Sequence, residues 1–146
     1  MDDKTATAAA AIMYQHLHQG SVLEGLQDNL RPQSRTEGYQ IQVRLEEAMD
    51  SQRKGWKIAA TSIAGQKHIG LNGPIAGRIM ANMMVKPGQP VPFGANRMRV
   101  AEAEFVFCMK TDLLPRPNFY ETAEVMAVVA SLHLGLEFPD SRFADF

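Results

Sequence analysis

The segment VAEAEFVF, residues 100–107, places two glutamates in a stretch that otherwise has the side chains of a buried β-strand. Its β-branched and aromatic residues predict a strand over residues 97–110. Side chains alternate along a strand, so Glu102 and Glu104 point the same way, with their Cα atoms roughly 6.6 Å apart. A carboxylate in apolar surroundings is costly unless a cation or hydrogen bonds compensate it. The two glutamates therefore need a partner elsewhere in the chain.

The remaining pattern predicts helices first and mostly strands afterwards. The alanine-rich start predicts a first helix over residues 4–26, which Gly20 and Ser21 can divide. A second helix is predicted over residues 37–53. Downstream we predict a strand at 56–62, a glycine-rich connection at 63–77, short extended pieces at 83–93, a helix at 119–131 and a strand at 132–143. This order indicates an α+β fold in one domain, with a helical part, residues 1–53, and a β part, residues 54–146.

Composition narrows the class of protein. The 146 residues are 45% hydrophobic and 21% charged, with a formal net charge of −1, which argues against disorder and against nucleic acid as a partner. The alanine-rich run after Asp2 and Asp3 lacks a basic leader, so we interpret it as helix rather than as a signal peptide or a membrane span. The single cysteine, Cys108, excludes an intramolecular disulfide and agrees with a cytoplasmic location.

A third carboxylate, Glu137, lies between Leu136 and Phe138 in the last predicted strand. Together with Glu102 and Glu104 it suggests a site for a hard divalent cation, Mg²⁺ or Mn²⁺, with oxygen ligands. The alternative is that the glutamates face solvent on one surface of a half-exposed sheet. The spacing alone leaves both interpretations open.

Three motifs in order, GWKIAATS, VAEAEFVF and LEFPDSRF, resemble the 2-keto-4-pentenoate hydratase and 4-oxalocrotonate decarboxylase branch of the fumarylacetoacetate hydrolase superfamily. A Tyr-x-x-Gln pair on the helix before the first motif also matches, at Tyr39 and Gln42. The resemblance covers residues 36–146 and extends weakly into the N-terminal helices. It implies N-terminal helices packed on part of a mixed β-barrel-like roll, with family members continuing beyond the DSR segment, so that this chain would be incomplete.

Site residues follow from the same resemblance. It implies Glu102, Glu104 and Glu137 as metal ligands and Lys57 as the candidate catalytic residue, with Lys57 and Ser62 as substrate contacts. The substrate would be a small 2-oxo acid, which chelates the metal through its carboxylate and keto oxygens. Lys57 also has a plain alternative as a strand-end lysine that extends to water. Homo-oligomerisation is a further family expectation, and a membrane partner is not expected.

One position departs from the family pattern. The segment that carries an acidic residue in the hydratases is PIAG here, so Ile75 occupies the position of a proton-transferring group. This favours a decarboxylase over a hydratase, although the resemblance as a whole places the hydratase slightly ahead. A non-catalytic, truncated homologue is a second class of hypothesis. A hydrolase that cleaves C–C bonds ranks last, because its His–Glu pair is not recognisable.

Overall fold

The computed structural model describes residues 1–145 and divides into two compact units. The first contains Met1–Ala95 and the last residues from Arg142 onward, and the second contains Asn96–Ser141. The order of elements along the chain is two helices, then strands interspersed with short helices. The α+β pattern predicted from the sequence is therefore confirmed.

Two helices build the core of the first unit. Helix α1, Asp3–Gln19, begins at Asp2, whose side chain accepts a hydrogen bond from the Thr5 amide, and helix α2, Arg35–Ala48, begins at Ser34 in the same way. Small alanines on α1 let the helices approach closely. The buried cluster consists of Ala6, Ala9, Ala10, Leu23, Leu26 and Ile41. Residues near the chain's end join this unit, where Leu23 forms a parallel bridge with Phe143.

Strands β1, Arg53–Ala59, and β2, Ile75–Met80, form an antiparallel pair in the same unit. The short helix α3, Ile63–His68, connects them, and a 3₁₀ turn, Ala81–Met83, follows β2. The sequence predicted the first strand and allowed a short helix after it. The prediction that residues 63–77 form a connection without a strand was wrong for the last three of them, because β2 begins at Ile75.

The second unit is a two-stranded antiparallel ribbon. Strand β3, Glu102–Met109, pairs with β4, Val129–Glu137, and helix α4, Thr122–Ala127, lies in the connection between them. The Arg116 guanidinium fastens this connection through a bidentate pair with the Glu124 carboxylate, at 2.6 and 2.8 Å. That hydrogen bonding, followed by the Glu121 amide, lowers the pKa of Glu124 to about 2.

The register divides the ribbon into two faces of opposite character. Directly paired residues share a face, so one face carries Glu102, Glu104 and Glu137. The other face, here called the apolar face, consists of Ala103, Phe105, Phe107, Leu132, Leu134 and Leu136. All five of its large side chains are exposed, from 52% at Phe107 to 83% at Leu134. The expectation of a buried strand was therefore wrong for the described residues of this unit.

Several predicted boundaries were also wrong. Helix α1 ends at Gly20, whose φ of +65° is a left-handed conformation that terminates helices, rather than continuing to residue 26. Helix α4 is shorter than the predicted 119–131, because residues from Val129 onward pair with β3. Among residues 1–145, no helix combines the length and the apolarity needed to cross a bilayer.

Candidate metal centre

The ribbon register brings the three predicted ligands together. Glu102 lies directly opposite Glu137, and Glu104 lies two residues further along β3 on the same face. Carboxylate oxygens from the three residues all lie within 4.8 Å of one another. Glu102 is exposed, whereas the other two are half-buried. The cluster is thus open to solvent at Glu102 and partly covered at Glu104 and Glu137.

The donor set fits a hard divalent cation. All three side chains offer oxygen, which is the ligand type preferred by Mg²⁺ and Mn²⁺. In an octahedral site with metal–oxygen distances of about 2.1 Å, opposite ligands are about 4.2 Å apart, which is close to the observed clustering. Three neighbouring negative charges also repel one another, and a cation at their centre would relieve that repulsion.

A glycine on β4 leaves room for the Val106 side chain beside these carboxylates. Gly135 is the residue opposite Glu104 in the register. A Cβ atom added at Gly135 would lie 2.8 Å from Cγ2 of Val106, closer than nonbonded atoms pack. No side chain therefore projects from β4 at the position that faces Glu104.

Lys57 lies on the other strand pair, in the first unit. It is half-buried on β1 and pairs with Gly77, while Ile75 pairs with Ala59 two positions along. Directly paired residues and their second neighbours share a face, so Lys57 and Ile75 are diagonal neighbours on one side of this sheet. The position that departs from the family pattern is thus beside the candidate catalytic lysine.

Ser62 has a visible local role. It is the residue before helix α3, and its hydroxyl oxygen accepts a hydrogen bond of 3.0 Å from the Gly65 amide. The side chain is exposed, and a serine hydroxyl that accepts one bond can still donate another. Substrate contact by Ser62 stays a prediction.

Helix α2 supports the residue that follows Ile75. The Ala76 amide donates to the Tyr39 hydroxyl at 3.1 Å, and the Gln42 side-chain amide donates to the Ala76 carbonyl at 3.2 Å. Gln42 also accepts a hydrogen bond of 3.0 Å from Arg78. Tyr39 and Gln42 match a sequence motif that by itself indicates no role for either residue. Their spacing of three residues on one helix face was the only sign of a common target.

Comparison with known proteins identifies relatives of the kind that the motifs suggested. A 2-keto-4-pentenoate hydratase of Burkholderia vietnamiensis is 27% identical over 148 residues, covering 99% of this chain and 56% of the relative. The enzyme of the same name from Paraburkholderia phymatum is 32% identical over 92 residues, covering 63% of this chain and 34% of the relative. No protein-family model matches the chain.

The fold comparison identifies a similar solved structure. A structure of 4-oxalocrotonate decarboxylase from Pseudomonas putida G7, complexed with magnesium and adipate, matches all of this chain and 56% of its own length. The TM-score is 0.86 at 20% sequence identity. The resemblance to the hydratase and decarboxylase branch is confirmed. The chain spans about half the length of the hydratases it matches, 56% in the Burkholderia vietnamiensis enzyme.

Proposed function

We propose that the chain carries the metal-binding part of a lyase that acts on a small 2-oxo acid, of the 2-keto-4-pentenoate hydratase type. The observation that carries the proposal is the group of three carboxylates whose oxygens lie within 4.8 Å of one another on paired strands. The names of the relatives support the reaction class. The magnesium in the structural neighbour supports the choice of cation.

Glu102, Glu104 and Glu137 would hold Mg²⁺ or Mn²⁺. When bound, such a cation supplies Lewis-acid stabilisation of the negative charge that develops on the keto oxygen of a 2-oxo acid. Three protein ligands leave open coordination positions for the carboxylate and keto oxygens of a substrate.

Lys57 is the proposed catalytic residue. A half-buried ammonium group can hold the carboxylate or the developing oxyanion of a substrate more strongly than an exposed one, because water screens it less. Ser62 is a proposed substrate contact through the proton of its hydroxyl group. Helix α2 fixes the strand beside Lys57 through the bonds of Tyr39 and Gln42 to Ala76.

A 4-oxalocrotonate decarboxylase activity is the second candidate, and Ile75 favours it. Ile75 shares a sheet face with Lys57, where the hydratases of this branch are expected to carry an acid. An apolar side chain there cannot protonate an intermediate, and loss of CO₂ needs no acid at that position. A non-catalytic homologue is the third candidate.

Mn²⁺ titration by calorimetry tests the metal centre directly. Glu102→Gln and Glu104→Gln should each abolish tight binding, because each removes one of three charged ligands. Asp112→Asn is the matched control, since it removes a carboxylate of the same unit outside the cluster, and should bind like the wild type. Unchanged affinity in both glutamate variants would exclude this site.

Product analysis with Mg²⁺ distinguishes the reactions. A hydratase should consume 2-hydroxypentadienoate without releasing CO₂. Release of CO₂ from 2-oxo-3-hexenedioate, with 2-hydroxypentadienoate untouched, would instead identify a decarboxylase. Turnover of neither substrate by a chain that binds Mn²⁺ would favour the non-catalytic homologue.

Further features of fold, assembly and location belong to this proposal. We infer that the two strand pairs are parts of a mixed β-barrel-like roll, as the resemblance implies, and that residues 1–146 form one domain. Homo-oligomerisation and a cytoplasmic location also stay predictions, as does the expectation that neither nucleic acid nor a membrane is a partner.

A further inference from the structure

Side-chain contacts close the open end of the β3–β4 ribbon. The Asn96 side-chain amide donates a hydrogen bond of 2.9 Å to the Pro139 carbonyl. In the opposite direction, the Asp140 carboxylate accepts from the Arg97 amide at 2.8 Å and from the Met98 amide at 3.4 Å. These bonds join segments 42 or 43 residues apart in the chain, just before β3 and just after β4. We call Asn96 and Asp140 the end clamp.

Backbone conformation within the clamp indicates that it holds a fixed geometry. Arg99 has a φ of +52°, in the left-handed region that non-glycine residues rarely adopt. Its amide donates a hydrogen bond of 2.7 Å to the Asn96 side-chain oxygen. A residue keeps such a conformation only where surrounding contacts enforce it. Asn96 therefore fixes the turn into β3 as well as the contact to Pro139.

The clamp lies beside the three-carboxylate cluster. Glu102 is the first residue of β3 and Glu137 the last of β4, so their pair terminates the ribbon. Strand ends fray most readily, and like charges directly opposite each other promote separation. At the other end, the chain itself connects the strands through residues 110–128. The hydrogen bonds of the end clamp therefore join the strands at the end of the ribbon where the carboxylates repel each other.

We propose that Asn96 and Asp140 are positioning residues for the metal centre, and this rests on the proposed function. They hold Glu102 opposite Glu137 before any cation binds, so that the ligands need little rearrangement. Asp140 acts through its hydrogen bonds to the backbone amides of Arg97 and Met98. An acceptor of the same shape would therefore preserve these two bonds.

Mn²⁺ binding to the full 146-residue chain tests the proposal. Asp140→Ala and Asn96→Ala should each weaken binding by about tenfold, the lower range for residues that orient metal ligands. Asp140→Asn keeps the acceptor oxygen and should restore binding to near the wild-type value. Asp112→Ala removes a carboxylate of the same unit that takes no part in the clamp, and should change nothing. Electron paramagnetic resonance of bound Mn²⁺ should show a more heterogeneous site only in the two weakened variants.

Results that contradict the end clamp can be distinguished from results that contradict the metal centre. A folded Asp140→Ala variant with wild-type affinity, or an Asp140→Asn variant as weak as Asp140→Ala, would overturn the clamp alone. A wild-type chain that binds no Mn²⁺ would overturn the metal centre and the clamp together. A measurement without variants guards against misfolding: the Arg97 and Met98 amides should be protected from hydrogen exchange before Mn²⁺ is added. Rapid exchange of both in the metal-free wild type would contradict the proposal.

Discussion

The two units solve the problem of burying apolar side chains in opposite ways. In the first, helices α1 and α2 cover each other, and Ala9 and Ile41 are almost completely inaccessible to water. In the second, none of residues 96–141, all of which the structure describes, is buried. Leu134, in the middle of the apolar face, is 83% exposed. Apolar side chains thus form a core in the first unit and a surface in the second.

The difference follows from the number of layers. Two helices present apolar stripes to each other and form a closed pair, whereas a two-stranded ribbon has two faces and no second layer within its own unit. Isolated two-stranded ribbons are at best marginally stable in water. The first unit is therefore expected to depend on core packing and the second on strand pairing, the Arg116–Glu124 pair and the end clamp.

Truncating one apolar side chain in each unit should give the largest difference between the units, measured as the loss in the free energy of unfolding. Ile41→Ala removes a side chain that is 3% exposed, so the free energy of unfolding should fall by about 2–5 kcal/mol. Leu134→Ala removes one that is 83% exposed and should cost less than about 0.5 kcal/mol. Denaturant titration followed by circular dichroism measures both. Equal losses would mean that Leu134 is covered in solution.

Substitutions on the apolar face should have an effect of intermediate size. They should change the exposed apolar surface of the second unit rather than its stability. The double variant Phe105→Ser/Leu134→Ser removes a directly opposed pair from this face. It should lose most of the binding of a fluorescent dye that reports exposed apolar surface. The control Leu17→Ser/Val22→Ser removes two residues of the first unit that are 42% and 41% exposed and should keep the signal. Equal loss in both double variants would contradict a distinct apolar face.

Lowering the pH should have the smallest effect, the loss of the Arg116–Glu124 pair in the connection between β3 and β4. The pKa of Glu124 is lowered to about 2 in the folded chain by Arg116, against an ordinary value of 4.5. Its stabilising contribution is therefore complete above pH 4.5 and is lost as the pH falls towards about 2. The Glu121 amide donates to Glu124 at 2.7 Å, and its nuclear magnetic resonance shift should report the transition. Glu124→Gln should abolish this titration, and a midpoint near 4.5 in the wild type would show that the pair does not form.

Local patterns predicted the elements whose signals are contained in adjacent residues. The alanine-rich spacing gave α1, and the alternation around Glu102 and Glu104 gave β3. Strand β2 was missed because Gly77 in its middle favours a loop. Exposure was misjudged because an apolar strand indicates only a preference for burial. Whether another layer covers it depends on residues that are distant in sequence.

The three glutamates of the candidate metal centre could be singled out by residue type, but the strand pairing that brings them together could not be predicted from local sequence. Spacing places Glu102 and Glu104 on one face, whereas Glu137 joins them only through the register of β4. The contacts of Asn96 and Asp140 across the ribbon end span 42 or 43 residues, and nothing in their local sequence distinguishes them from ordinary turn residues. Tyr39 and Gln42 contact Ala76, more than 30 residues away, for the same reason.

Gly135 makes one position of the ribbon intolerant of mutation. Because Val106 is β-branched and has little rotational freedom, it cannot easily yield to a side chain built 2.8 Å away. Even alanine would require Val106 or the backbone beside it to shift. In a library randomised at position 135 and selected for Mn²⁺ binding, glycine should therefore be recovered almost alone. Directed evolution of this face towards other ligands would have to begin at Val106, whose shortening gives position 135 its first freedom to vary.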